Sequence, residues 1–143
     1  MTSVAQLLRT KGQAVWSIPP HASVYEAIKL MADKEVGALL VVEAQRLVGI
    51  VSERDYARKV ILQGKSSRDT PVREIMTEKV FYVRPEQTVE ECMAVMTAHR
   101  IRHLPVLGDD QVMGVVSIGD LVKALLSEQE VRIQQLEQYI MGR

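Results

Sequence analysis

The chain has 143 residues, 47% apolar and 25% charged, with 18 basic side chains against 18 acidic ones. This is the composition of a globular protein, and zero net charge argues against a partner gripped through a broad phosphate-backbone field. A single cysteine, Cys92, excludes an intrachain disulfide, and the chain has neither a signal-peptide pattern nor a membrane-length apolar run, so a cytoplasmic protein without a membrane role is expected.

In chain order, "VAQLLRT" (4–10) is a lead-in segment and "AVWSI" (14–18) a short strand candidate. Ser23 and Glu26 have capping-box spacing, and Val24, Ala27, Ile28 and Met31 then fall on one helical face. "ALLVV" (38–42) and "LVGIV" (47–51) flank the polar turn "EAQR" and predict a hairpin, followed by a helix over "ERDYARKVIL". The polar stretch Gln63 to Pro71 is a linker, and "VREIMT" (72–77) is a second lead-in, predicted helical.

The same order then returns. A shift of 65 residues aligns Ile18–Ile61 with the later chain without a gap, pairing Pro20 with Pro85, Met31 with Met96, Leu39 with Leu104 and Gly49 with Gly114. "KVFYV" is the strand candidate, Thr88 and Glu91 the cap, and Val89, Cys92, Met93 and Met96 the helical stripe. "LPVL" and "VMGVV" flank the turn "GDDQ", and "IGDLVKALLS" is the closing helix. Each copy is β-α-β-β-α, a unit unable to bury its apolar face alone. The organisation is a lead-in helix at 1–14, a first unit at 15–63, a linker with lead-in helix at 64–79, a second unit at 80–127 and a C-terminal helix at 128–143. Ile133, Leu136 and Ile140 form a narrow apolar stripe on that last helix, which can dock on the module or on a partner chain.

"GIVSERD" (49–55) and "GVVSIGD" (114–120) place a strand end, a serine and an aspartate at a helix start twice over. A helix N-terminus offers unpaired N–H groups and a positive dipole end to a phosphate. Ser52 and Ser117 add a hydroxyl, and Asp55 and Asp120 can accept two hydrogen bonds from a vicinal diol such as ribose. The same spacing is also an ordinary helix cap. Arg54 and Arg58 lie one helical turn apart and can face an anion, with Gly119 and Lys123 at the matching places; Lys59 and Lys65 read as surface residues.

The doubled Gly-aliphatic-aliphatic-Ser-x-x-Asp, "RIRHLPV" (100–106) and "VREIMT" together resemble a tandem pair of CBS domains, a Bateman module, over about residues 4–126, and more narrowly the small stand-alone bacterial proteins of that kind. The resemblance implies an α/β, α+β-like fold of two pseudo-symmetric units packed sheet to sheet, a dimer, and an adenosine nucleotide (AMP, ADP, ATP or NAD) bound in the clefts between the units. It assigns the ribose to Asp55 and Asp120 and places Ser52 and Ser117 near the phosphate. Arg102 and His103 match positions whose basic residues reach ligand phosphates, where the first copy has Gly37 and Ala38, so the two clefts are expected to differ. Val15 and Val80 match the base-contacting strands, with Ile101 and Pro105 as apolar walls.

Other chemistries are weaker. His99 and His103 have a metal-ligand spacing only if both lie on a helix, and no cysteine or carboxylate completes a set. Cys92 sits on an apolar stripe as an inert thiol, and no P-loop, dinucleotide fingerprint or nucleophilic triad is present. The expectation is a non-catalytic sensor regulating a protein partner in trans, without nucleic acid; the alternative is a structural or interaction module with vestigial sites.

Overall fold

The computed structural model describes residues 1–141; Gly142 and Arg143, at the end of the expected C-terminal helix, lie outside the described residues. The chain divides into two compact units, one from Val15 to Val80 and one joining Met1–Ala14 to the chain from Phe81 onward. Helices and strands are mixed in both, each with its own small sheet. Among the described residues no helix is long and apolar enough to cross a membrane.

In the 15–80 unit, β1 (Ser17–Ile18) runs parallel to β2 (Ala38–Glu43), which pairs antiparallel with β3 (Arg46–Ser52). Helix α2 (Val24–Lys34) starts where the Ser23 hydroxyl accepts from the Glu26 N–H and ends at Glu35 in the left-handed region. It buries Val24, Ala27 and Met31 against Leu39, Val41, Val51 and Val60, the stripe that the 3.6-residue period predicts. Helix α3 (Glu53–Tyr56) has only four α-helical residues and widens into a π-helix over Ala57–Ile61.

In the other unit, α4 (Val89–His99) packs on the hairpin of β4 (His103–Gly108) and β5 (Gln111–Ser117), and α5 runs from Ile118 to Ile140. The closing helix of the second copy and the tail helix are therefore one 23-residue helix rather than two. Both hairpins turn through two residues of positive φ, Ala44 and Gln45 in one and Asp109 and Asp110 in the other, the backbone of a type I′ turn. Both carry a bulge beside the matching valines Val41 and Val106.

The strand candidates shrink for a definable reason. In the first copy the Leu40 N–H donates to the Trp16 carbonyl and holds β1 to β2. The residue matching Leu40 is Pro105, which has no N–H to give. "KVFYV" is thus reduced to a single parallel bridge, Val83 to Val106, held by the Val83 N–H to the Pro105 carbonyl (3.0 Å) and the Leu107 N–H to the Val83 carbonyl (2.9 Å).

The lead-ins cross over. Helix α1 (Val4–Lys11), which precedes the first copy, is built into the unit of the second and buries Val4, Leu7 and Leu8 there. The segment before the second copy is built into the unit of the first, where Val72 and Ile75 join the core. The attachments match: the Val89 N–H donates to the Thr2 carbonyl, and the Val24 N–H donates to the Thr70 carbonyl. A single 3-10 turn, Val72–Glu74, stands where the sequence suggests a lead-in helix. With three residues fewer than the first lead-in, this segment reaches its bridge from Thr77 to Ile50 before a second turn can form.

This crossing explains the repeated glycine. A Cβ on Gly114 would lie 2.8 Å from Leu8 Cδ2, and one on Gly49 would lie 2.7 Å from Met76 Sδ and 3.0 Å from the Thr77 carbonyl oxygen. Each lead-in passes directly over the third strand of the other copy, so a side chain at either glycine would push the lead-in or its side chains away.

Candidate functional site

Each repeated phrase ends in the same closed structure. At α3 the Ser52 N–H donates to Asp55 Oδ2 (2.9 Å) while the Asp55 N–H donates to Ser52 Oγ (3.2 Å). At α5 the Ser117 N–H donates to Asp120 Oδ2 (2.8 Å) and the Asp120 N–H donates to Ser117 Oγ (3.2 Å). These are capping boxes in which aspartate takes the place of glutamate. The first N–H of each helix is also satisfied across the sheet, from Glu53 to the Gly37 carbonyl (3.1 Å) and from Ile118 to the Arg102 carbonyl (2.9 Å).

A lysine reaches each carboxylate. Lys59 Nζ lies 3.1 Å from Asp55 Oδ1, one helical turn on, and donates to the Ile75 carbonyl (2.9 Å). Lys59, read from the sequence as a surface residue, is therefore half-buried and tied to the candidate site. Lys11 Nζ, arriving from α1, pairs with Asp120 Oδ2 and donates to the Val115 carbonyl. Burial pushes the Asp120 carboxyl up, but the hydrogen bonds from Lys11 and Ser117 and the Lys11 charge outweigh it and hold the group below the usual carboxylate range. Neither carboxylate is sealed in: the side chains of Asp55 and Asp120 keep 16% and 23% of their surface exposed.

The remaining predicted residues fall into the two units as follows. His103 is the cross-strand partner of Ser117, which brings Arg102, His103, Ser117, Gly119 and Asp120 to one end of the β4–β5 hairpin. Arg102 and Gly119 are exposed and His103 is half-buried. Ile101 packs on the core of that unit, and Pro105 is buried. In the 15–80 unit, Ala38 is the cross-strand partner of Ser52, beside half-buried Arg54 and exposed Arg58. Val15 and Val80 are half-buried at the two ends of that unit. His99 stacks on Phe81 with ring centroids 3.7 Å apart, on the helix that ends before His103 enters β4.

Asp120 also lines a groove of about 970 Å³ between α1 and α5, together with Arg9, Lys11, Lys123, Glu128 and Arg132. The Glu128 carboxylate accepts from both the Thr2 N–H and the Thr2 hydroxyl, which pins the start of α1 to α5. Lys59 was within reach of sequence reasoning, because Asp55 and Lys59 stand at i and i+4. No local pattern points to Lys11, which lies 109 residues from its partner.

The family model for the CBS domain matches residues 4–61 and 72–127. The chain is 44% identical to the CBS domain-containing protein CBSX3, mitochondrial, of Arabidopsis thaliana, over 99% of this chain and 73% of that protein. It superposes with a TM-score of 0.87 on a signal-transduction protein with CBS domains from Burkholderia ambifaria, at 54% identity over 90% of this chain and 96% of the other. The CBS domain pair of protein MJ0100, solved in complex with 5-methylthioadenosine and S-adenosyl-L-methionine, superposes with a TM-score of 0.79 at 25% identity, covering 90% and 98% of the two chains. With two matched copies and neighbours that share its fold along nearly their whole length, this chain belongs to the CBS-domain family and carries the domain in tandem, the arrangement of a regulatory module.

Proposed function

We propose that the protein is a non-catalytic sensor of adenosine nucleotides, AMP-like or a dinucleotide such as NAD, which it binds in the clefts between its two CBS units as a cytoplasmic homodimer, controlling a protein partner in trans. The observation that carries this reading is the duplicated carboxylate at a helix start, partly exposed and held in one orientation by its own capping box. An acid so oriented is prepaid for gripping a ribose diol, since little side-chain entropy is left to lose on binding. Ser52 and Ser117, at the positive dipole ends of the adjoining helices, then face the phosphate, joined by Arg54 and Arg58 in one copy and by Arg102 and His103 in the other. Val15, Val80, Ile101 and Pro105 supply the apolar surroundings of the base. The adenosine compounds bound to the MJ0100 pair support this choice of ligand class. Regulation follows if occupied and empty proteins differ in packing and the ligand prefers one of them.

The lysine on each aspartate favours a second reading, in which the boxes only cap helices and the module is structural or serves protein interaction. Thermal unfolding against AMP, ADP, ATP, NAD and S-adenosylmethionine separates the two. A ligand specific for the folded state adds about 2.7 kcal/mol at a hundredfold excess over its dissociation constant. The expected result is stabilisation by one or two of these compounds, diminished in Asp55→Ala and in Asp120→Ala and absent from the double variant. Unshifted midpoints throughout select the structural reading.

A further inference from the structure

Beyond Glu128, helix α5 is exposed at every residue from Gln129 to Met141, with Val131, Arg132 and Gln135 still lining the groove beside α1. This part of the helix is about 18 Å long and continues a helix already started on its unit. The helix face that is buried earlier, through Leu121 and Leu125, continues through Glu128 into Arg132, Gln135 and Tyr139, so the extension offers its own unit a mainly polar face. The large aliphatics move to a separate strip. Val122, Leu126, Gln129, Ile133, Leu136 and Ile140 follow one another at alternating spacings of four and three residues, the seam of a coiled coil. Leu126, Ile133, Leu136 and Ile140 are 55–73% exposed.

We infer that this strip docks on the same strip of a second copy of the chain, as a parallel two-stranded coiled coil. The residue choice points to two strands: Ile133 and Ile140 occupy a positions and Leu136 the d position between them, preceded by Leu126 at a and Gln129 at d. Charge sets the direction. Arg132 falls at g and Glu137 at the following e, positions that face each other across a parallel pair, once on each side of the seam. Antiparallel strands pair e with e and g with g: with Ile133 opposite Leu136 they would set Glu130 against Glu137, a like-charge pair, and Arg132 against Tyr139, with no Arg132–Glu137 contact. The arm would thus join two copies through the helix whose first turn holds Asp120, and the inference holds whether or not a nucleotide binds there.

The test uses the full chain. Ile140→Cys and Ile133→Cys are each oxidised mildly; Cys92 is buried and serves as the unreactive background. Parallel strands bring either new thiol beside its copy, so both variants form a covalent dimer. Antiparallel strands with Ile133 opposite Leu136 leave the two 133 positions close but hold the two 140 positions about 16 Å apart along the axis, so cross-linking through 133 alone overturns the inference, and so does no cross-linking at either position. In sedimentation equilibrium, Ile133→Glu with Leu136→Glu weakens self-association by roughly tenfold or more while the far-ultraviolet spectrum and melting of the units persist. Arg132→Glu weakens it less, and adding Glu137→Arg restores it. Self-association unchanged by the seam variant places any dimer contact elsewhere and overturns the inference.

Discussion

Lys11 and Asp120 form the residue-scale contact with the clearest consequence. Asp120 titrates below an ordinary carboxylate in the folded chain. The stability it adds is therefore fully present above the unfolded carboxylate range, near pH 4, and is lost as pH falls through its folded value. Lys11→Ala removes the largest cause of that depression. The pair is a third exposed on the lysine side, so solvent screening limits the effect to about 0.5–1 kcal/mol at pH 7. Urea unfolding at pH 7 and pH 3 should show that loss at neutrality and a smaller one in acid; an equal loss at both would mean that Lys11 stabilises through its aliphatic stem.

Cys92 illustrates the opposite shift. Burial, and secondarily the Glu91 charge, pushes its thiol up to about 11. At pH 8 the native protein should therefore react with an aromatic disulfide reagent only at the rate of local opening, and should give one rapid equivalent in denaturant. Rapid reaction in the native state would show that the α4 stripe is not closed over it.

At the scale of elements, the glycines and turns carry the argument. Gly114→Ala forces a methyl into the space of the Leu8 side chain and should cost about 1–3 kcal/mol. The cost should fall when Leu8→Ala is added, a non-additivity readable in a double-mutant cycle by denaturant unfolding. The same change at Gly49 meets the Thr77 carbonyl, which is backbone and cannot rotate away, so no side-chain change should rescue it as fully. In the first hairpin Ala44 holds φ +49°, where the second copy uses Asp109. Left-handed geometry costs an ordinary residue about 1–2 kcal/mol, and Ala44→Gly should recover part of it as a higher unfolding midpoint. Legibility at this scale follows from locality. The hairpins with their polar turns, the Ser and Thr caps and the α2 and α4 stripes are decided by residues within a few positions of one another and are legible in the sequence, whereas the I′ geometry of the turns is not, since Ala44 and Gln45 do not ask for positive φ. That the strand before α4 shrinks to one bridge while β1 pairs was not visible, because it depends on which residue lies opposite, Pro105 in one copy and Leu40 in the other.

For the whole molecule, the exchange of lead-ins means that neither copy is complete as a contiguous stretch of chain. Val4, Leu7 and Leu8 are buried in the unit of the second copy and contribute about 1.5–3 kcal/mol each at most. Deleting residues 1–11 should therefore unfold or loosen the chain from Phe81 onward while sparing Val15–Val80. Hydrogen exchange resolved by fragment would show protection lost in β4, β5 and α4 first; uniform protection would mean that α1 is dispensable.

The repeat, its two hairpins, the capped helices and the paired Ser-x-x-Asp boxes are legible from the residues alone, because each rests on short-range patterning or on comparing the chain with itself. The sequence also carried the family resemblance, and with it the candidate ligand class. It takes the fold to reveal that each lead-in serves the other copy, that it presses close on a glycine there, and that Lys11 closes on Asp120. Those contacts join residues as much as 109 positions apart, and nothing in local propensity ranks one such distant partner above another; the choice is made when two apolar faces find the only neighbours that bury them.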